Sequence, residues 1–256
     1  MSEKLTKAIG IVSWFPSSEP MRGQRMSRLK RLIAQIDEML PGLPLIIIAQ
    51  NWNGFKYKRK NGSDHIYEYP QLGILGARRV LRQKFLQLGY DYLIMFDDDA
   101  ILDEDNSHVF TNYLNLMDVN PQGFAFAKKP EFINKDSGSH NPYIDSQLNF
   151  CAISRYIYEK EDIPMVDPQH NICYEDRIFS MLLHIKYKNY EFDIPQGVHS
   201  IHFKNPKYPL PSTWAKAKNV DLGLLNNNTI KVEEYIYKNG DLPKDIIAFL
   251  KESQNG

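Results

Sequence analysis

Cysteine is scarce: the 256-residue chain has two, Cys151 and Cys173, and no Cys-x-x-Cys pair. That excludes a disulfide framework and a structural zinc site built on cysteines. It fits a reducing compartment, so the expected location is cytoplasmic, with peripheral contact at a membrane as the variant of that expectation. Net charge is absent as well, 31 Lys and Arg balancing 31 Asp and Glu. General polyanion binding needs an excess of cations against phosphates, and this balance argues against it. Long apolar runs are also missing. Leu43-Pro44-Leu45-Ile46-Ile47-Ile48-Ala49 falls far short of the roughly 20 residues that cross a bilayer, so no transmembrane segment is expected. Ala8 to Phe15 is apolar, but Glu3 precedes it and no small-residue cleavage site follows, so it reads as a strand rather than a signal-peptide core.

What is present is core-forming material: 43% of residues are hydrophobic and 12% aromatic, enough for one large domain or one with a small appendage. Ala8-Ile9-Gly10-Ile11-Val12-Ser13 is an apolar, β-branched run ended by Pro16, Ser17, Ser18 and Pro20. Met26, Leu29, Leu32, Ile33, Ile36 and Leu40 then recur at helical spacing, with Arg25, Arg28 and Arg31 on other faces. Pro41-Gly42 stops that helix, and Leu45 to Ala49 is a second strand. Asn51 to Asp64 is polar and carries Lys56, Lys58, Arg59 and Lys60, so a solvated excursion is expected. A short strand around Ile66 to Tyr69, a helix from about Leu75 to Leu88 and a hydrophobic strand Asp91 to Phe96 follow.

Beyond residue 100 the pattern predicts a helix near Ser107 to Met117 and strands at Phe124 to Ala127 and Phe150 to Ile153. A helix is expected after Glu175-Asp176, a strand at Tyr190 to Ile194, and two helices near Thr229 to Lys238 and Leu242 to Lys251. Alternating strands and helices imply an α/β fold with a mixed, mostly parallel sheet flanked by helices, and ligands bind beyond the carboxyl ends of such strands.

Asp97-Asp98-Asp99 stands at one such end. Side chains alternate faces along an extended segment, so Asp97 and Asp99 are expected to face one ligand while Asp98 points away or supports the loop. Three like charges repel unless a hard divalent cation or a helix N-terminus offsets them. An EF-hand loop is excluded, because Leu102 stands where glycine is required and His108 where the closing Glu is required.

A hydrophobic strand running into Phe96-Asp97-Asp98-Asp99 after two β-α units resembles glycosyltransferases of the GT-A fold, family 2-like enzymes with a DxD motif that use sugar nucleotides. The resemblance covers roughly residues 8 to 204. It implies a catalytic domain over 1–204, with a nucleotide-sugar half at 1–105 and an acceptor half at 106–204, and leaves 205–256 as a C-terminal helical extension. It puts Asp97 on the ribose or a metal and Asp99 on the metal, Mn2+ or Mg2+, that bridges the diphosphate, with Asp98 among the donor-binding residues. Gly73-Ile74-Leu75-Gly76-Ala77-Arg78-Arg79 matches the family's Gly-x-x-x-Ala-Arg segment, which puts Arg78 near the diphosphate or base. Tyr174-Glu175-Asp176-Arg177 is similar to the family's Glu-Asp motif, so Asp176 is expected as general base and Glu175 as the alternative base or a ligand of the acceptor hydroxyl. His199 and His202 are candidate further metal ligands, His202 preferred, and Lys204 is a candidate for the leaving diphosphate. Ser13 and Trp14 occupy the strand end where the family holds the base. Asn51 stands where family members usually carry Asp.

On the acceptor side, Tyr143, Asp145 and Asn149 are candidates. The implied activity is a metal-dependent, inverting transfer from a nucleoside-diphosphate sugar, a UDP-sugar favoured, to a hydroxyl on a glycan, a lipid-linked saccharide, a protein or modified DNA. Two other readings compete. A sugar-phosphate nucleotidyltransferase needs a Gly-rich basic loop after the first strand, where this chain has Trp14-Phe15-Pro16-Ser17-Ser18. A non-catalytic glycan-binding module leaves the carboxylate cluster unused, which is costly.

Overall fold

The computed structural model describes residues 4–15, 21–52, 62–98, 107–127, 147–163 and 175–193, with single positions at 54, 57, 59, 100 and 102. Six strands form one sheet: β1 (Lys7–Trp14), β2 (Leu45–Gln50), β3 (Asp64–Tyr69), β4 (Tyr92–Asp97), β5 (Phe124–Ala127) and β6 (Gln147–Ser154). The helices are α1 (Met21–Met39), α2 (Gly73–Leu88), α3 (Ser107–Val119), α4 (Arg155–Lys160) and α5 (Glu175–Tyr187), and a 3-10 turn at Lys188–Tyr190 follows.

The strand order is β3-β2-β1-β4-β6-β5. β3, β2, β1 and β4 run parallel, β6 lies antiparallel to β4, and β5 antiparallel to β6. The fold is the expected α/β, Rossmann-like arrangement, a mostly parallel sheet flanked by helices. From β1 the chain moves to β2 on one side, while β4 docks on the other in the register Ile11↔Phe96 and Val12↔Asp97. The order reverses there, and in α/β sheets the crevice for ligands lies beyond the carboxyl ends of the strands at such a point, here β1 and β4.

Alternation along each strand sorts the core into two layers. Ala8, Ile46, Ile48, Leu93 and Met95 meet Leu75, Ala77, Leu81 and Phe85 of α2 and Phe179, Leu182 and Leu183 of α5. Ile9, Ile11, Ile47, Ile94 and Phe96 meet Leu29, Leu32, Ile33 and Ile36 of α1 and Phe110, Tyr113 and Met117 of α3. Strands buried on both faces read as the continuous apolar runs seen in the sequence.

Gly10 marks how closely α2 lies on β1. A Cβ there would stand 2.8 Å from Leu81 Cδ2 and 2.9 Å from Leu93 Cδ1. Gly10→Ala is expected to cost about 1–3 kcal/mol through overpacking, read as a lowered urea midpoint with an unchanged slope.

Three features differ from expectation. Of the predicted strand at 190–194, Tyr190 ends a 3-10 turn and Glu191 makes a single parallel bridge to Phe124, while residue 194 lies outside the described residues. The Glu191 carboxylate pairs with His184 Nδ1 at 2.8 Å, and Phe192 N–H donates to Phe124 O at 3.0 Å. Second, α4 was not foreseen, because its short buried pair Ile157 and Tyr158 follows β6 without a breaker. Third, Arg59 is not solvated: its side chain is fully buried, paired with Asp64 at 2.7 Å and Asp37 at 3.3 Å, and it donates to Leu43 O at 2.6 Å. The helices expected at 229–238 and 242–251 lie outside the described residues. Among the described residues no helix is long and apolar enough to cross a membrane.

Candidate functional site

Asp97, the last residue of β4, and Asp98, the first of the turn beyond it, face opposite sides of the sheet. Asp97 continues the Leu93 and Met95 set toward α2, where Arg78 Nη2 donates to Asp97 Oδ1 at 3.4 Å. Arg78 is buried, while the Asp97 side chain is 32% exposed. The segment does not remain extended beyond that point. Ala100 N–H donates to Asp97 O at 3.0 Å, closing a turn that contains Asp98. The alternation argument that paired Asp97 with Asp99 therefore does not apply past Asp97, and Asp99 itself lies outside the described residues.

Asp98 turns inward on the α1 side. Ser13 Oγ, on the same side of β1 as Ile9 and Ile11, donates to Asp98 Oδ2 at 2.6 Å, and Arg25 Nη2 of α1 donates to Asp98 Oδ1 at 3.0 Å. Asp98 is 4% and Ser13 1% exposed. A buried carboxylate with charge-assisted bonds on both oxygens is a fixed part of the structure.

Trp14 ends β1 opposite Gln50. The Arg25 guanidinium carbon lies 6.0 Å from the Trp14 ring centre, and the Trp14 indole N–H is buried without a partner among the described residues. Gln50, one strand over, accepts on its Oε1 from Leu72 N–H at 2.8 Å, just before α2 begins. Asn51 has φ 55°, a left-handed conformation that Asn adopts more readily than most residues. Its C=O accepts from Arg22 Nη1 at 3.2 Å, and Arg22 Nη2 donates to Trp52 O at 2.6 Å.

The structure thus gathers Ser13, Trp14, Arg78, Asp97 and Asp98 at the crevice, with Asn51 tied to it through Arg22. Arg79 points elsewhere, pairing with Asp162 at the surface. Arg22, Arg25 and Gln50 were not singled out from the sequence. The placement of Arg25 off the apolar stripe of α1 is visible in the sequence, but the aspartate it reaches, like the carbonyls that Arg22 reaches, is remote in the chain.

Glu175 and Asp176 are the first two residues of α5. That helix runs into the 3-10 turn before the Phe124↔Glu191 bridge, and Phe124 lies across from Ile153, itself across from Leu93 near the start of β4. Higher up, Phe179 stacks on Tyr158 at 6.0 Å, and the Tyr158 hydroxyl reaches Met95 Sδ at 3.7 Å, two residues before Asp97. Burial pushes the Tyr158 hydroxyl well above its ordinary pKa, so it stays a neutral donor. The helix therefore starts toward the crevice end. Asn149 lies near the start of β6. Tyr143, Asp145, His199, His202 and Lys204 lie outside the described residues.

Among the described residues no three His, Cys, Asp or Glu side chains converge on a point. Asp98 is engaged by Ser13 and Arg25, which leaves Asp97 as the half-open carboxylate. A hard oxygen donor of that kind suits Mg2+ or Mn2+.

No protein-family model matches the chain, and no curated protein matches its sequence. Solved structures do resemble it. Staphylococcus aureus TarS, residues 1–349, superposes with a TM-score of 0.51 at 10% identity, covering 90% of this chain and 68% of that one. A197 from STIV gives a TM-score of 0.43 at 14% identity over 78% of this chain and 87% of that one. A Desulfovibrio desulfuricans G20 protein, provisionally assigned as a nucleotide-diphospho-sugar transferase, gives 0.42 at 9% identity over 74% and 79%. At such identities the TarS likeness establishes a shared fold.

Proposed function

We propose that this chain is a glycosyltransferase that moves a sugar from a nucleoside-diphosphate donor to a hydroxyl acceptor. The observation that carries the reading is Asp97, half-open at the point where strand order reverses, with the buried Arg78 against it. A cation and a carboxylate at that crevice suit a diphosphate and the metal that accompanies it. The α/β fold shared with TarS is compatible with the same reading.

Trp14 offers an aromatic face to the base and Arg78 a charge to the diphosphate. Asp97 and Asp99 would hold Mn2+ or Mg2+, with His202 or His199 as a further ligand; such an ion stabilises negative charge on a departing diphosphate. Asp176 takes the proton from the acceptor hydroxyl as that oxygen bonds to the anomeric carbon and the bond to the diphosphate oxygen breaks. A single displacement of this kind inverts the anomeric centre. The favoured donor is a UDP-sugar.

Thermal shift with UDP, GDP, CMP and dTDP, each with and without Mn2+, tests this on wild type and Asp99→Ala. One nucleotide is expected to stabilise wild type only with metal, by about 2.7 kcal/mol at a ligand concentration 100-fold above Kd, and Asp99→Ala to lose the effect. Stabilisation by none of the four sinks the proposal.

A further inference from the structure

Arg25 is remote in sequence from every candidate catalytic residue, yet it joins two parts of the crevice. Its Nη2 bonds Asp98 Oδ1 at 3.0 Å, and its guanidinium carbon stands 6.0 Å from the Trp14 ring centre. Ser13 Oγ holds the other Asp98 oxygen at 2.6 Å. Asp98 in turn belongs to the turn closed by Ala100 N–H on Asp97 O at 3.0 Å. One helical turn earlier, Arg22 fastens the Asn51 and Trp52 carbonyls at 3.2 and 2.6 Å, and its guanidinium carbon lies 5.8 Å from the Phe15 ring centre. The first turns of α1 therefore link the ends of β1, β2 and β4.

We infer that Arg25 is a positioning residue: through Asp98 it fixes the turn that presents Asp97 relative to the aromatic platform of Trp14. The side chain reaches no donor itself. Its effect is on the spacing between the place for a base and the place for a diphosphate, and in that respect the inference rests on the reading given under Proposed function. An arginine suits the task because its planar fork stays charged and loses little freedom on binding a carboxylate. Asp98 is then the middle member of the triplet by structural need, since its buried charge requires both donors.

Two measurements test this on the full chain in Arg25→Met, Arg25→Lys, Asp98→Asn and Ser13→Ala. The first is amide hydrogen exchange at Ala100 without ligand, with the Ile47 amide at the centre of β2 as internal reference. Arg25→Met and Asp98→Asn are expected to speed Ala100 exchange about tenfold or more relative to Ile47, as loss of a charged hydrogen bond predicts, and Arg25→Lys to restore most of the protection. The second is affinity for UDP, GDP or dTDP with Mn2+, whichever wild type binds. It should fall in parallel with the loss of protection and recover in Arg25→Lys. Unchanged Ala100 exchange overturns the inference whether or not a nucleotide binds. Faster exchange with unchanged diphosphate affinity leaves only a structural tie and overturns it too. Faster exchange in a protein whose wild type binds no nucleotide refutes the donor reading while the tie through Asp98 stands. Ser13→Ala and Arg25→Lys remove less than the other two variants and keep the test open if those fail to fold.

Discussion

Arg59→Met is expected to lower the unfolding free energy by about 3 kcal/mol, because deleting one partner of a buried ion pair leaves the other charge uncompensated. Arg59 stands in the connection between β2 and β3 and is anchored at three points: Asp37 near the end of α1, Leu43 O just before β2, and Asp64 at the start of β3. Methionine keeps much of the stem but returns none of these bonds, and two partly buried carboxylates, 15% and 16% exposed, then face each other. For a chain of this size the loss corresponds to a Tm lower by roughly 6–12 °C, readable by calorimetry. Gly62 supplies an internal check. It has φ +115°, and a Cβ there would overlap Arg59 Nη2. Gly62→Ala should therefore cost less in the Arg59→Met background than alone, a coupling that a double-mutant cycle reads directly. Additive costs would mean that the guanidinium does not occupy the space beside Gly62.

The second large effect concerns rate. Under the proposed function, Asp176→Asn is expected to reduce kcat by about 10²–10⁴-fold while leaving the nucleotide-dependent thermal shift intact. Asn keeps the shape of the side chain and still suits the start of a helix, so the substitution removes the basicity and little else. The competing role is plain: Asp176 is the second residue of α5, where a carboxylate also favours the helix dipole. That role alone predicts a stability change of about 0.3–1 kcal/mol with kcat unmoved. Glu175→Gln is the companion measurement. If it causes the larger fall in kcat, the base is Glu175 and Asp176 is the residue that favours the helix.

Local pattern carried much of the fold. Apolar runs between breakers marked β1, β2 and β4, and helical spacing marked α1 and α2, because each of these elements is decided within its own ten or twenty residues. The face of Asp97 was readable for the same reason: it follows the period-two set of Leu93 and Met95. What was not readable depended on partners far along the chain. Asp98 meets Arg25 at a separation of 73 residues and Ser13 at 85. Lys58 and Arg59 are neighbours of similar character, and only tertiary contact decides that Arg59 is interior. The insertion of β6 between β4 and β5 was equally hidden, since Phe150-Cys151-Ala152-Ile153 has the same apolar run whichever way it pairs. Composition alone favours a strand around residue 192, but the 3-10 turn claims its first residue, Tyr190, and only Glu191 bridges to Phe124.

The opposite facing of Asp97 and Asp98 makes the length of β4 a question of parity. Adding or deleting one residue between Tyr92 and Phe96 would exchange the two sides of the sheet for everything that follows. The half-open carboxylate of Asp97 would be driven toward the side of Ser13 and Arg25, and the turn that carries Asp98 would leave the strand from the wrong face, even though no site residue had been altered. A two-residue change would preserve the facing but push the turn about 7 Å along the strand axis, away from both helices that grip it. The strand thus tolerates many apolar substitutions and almost no change in the number of its residues.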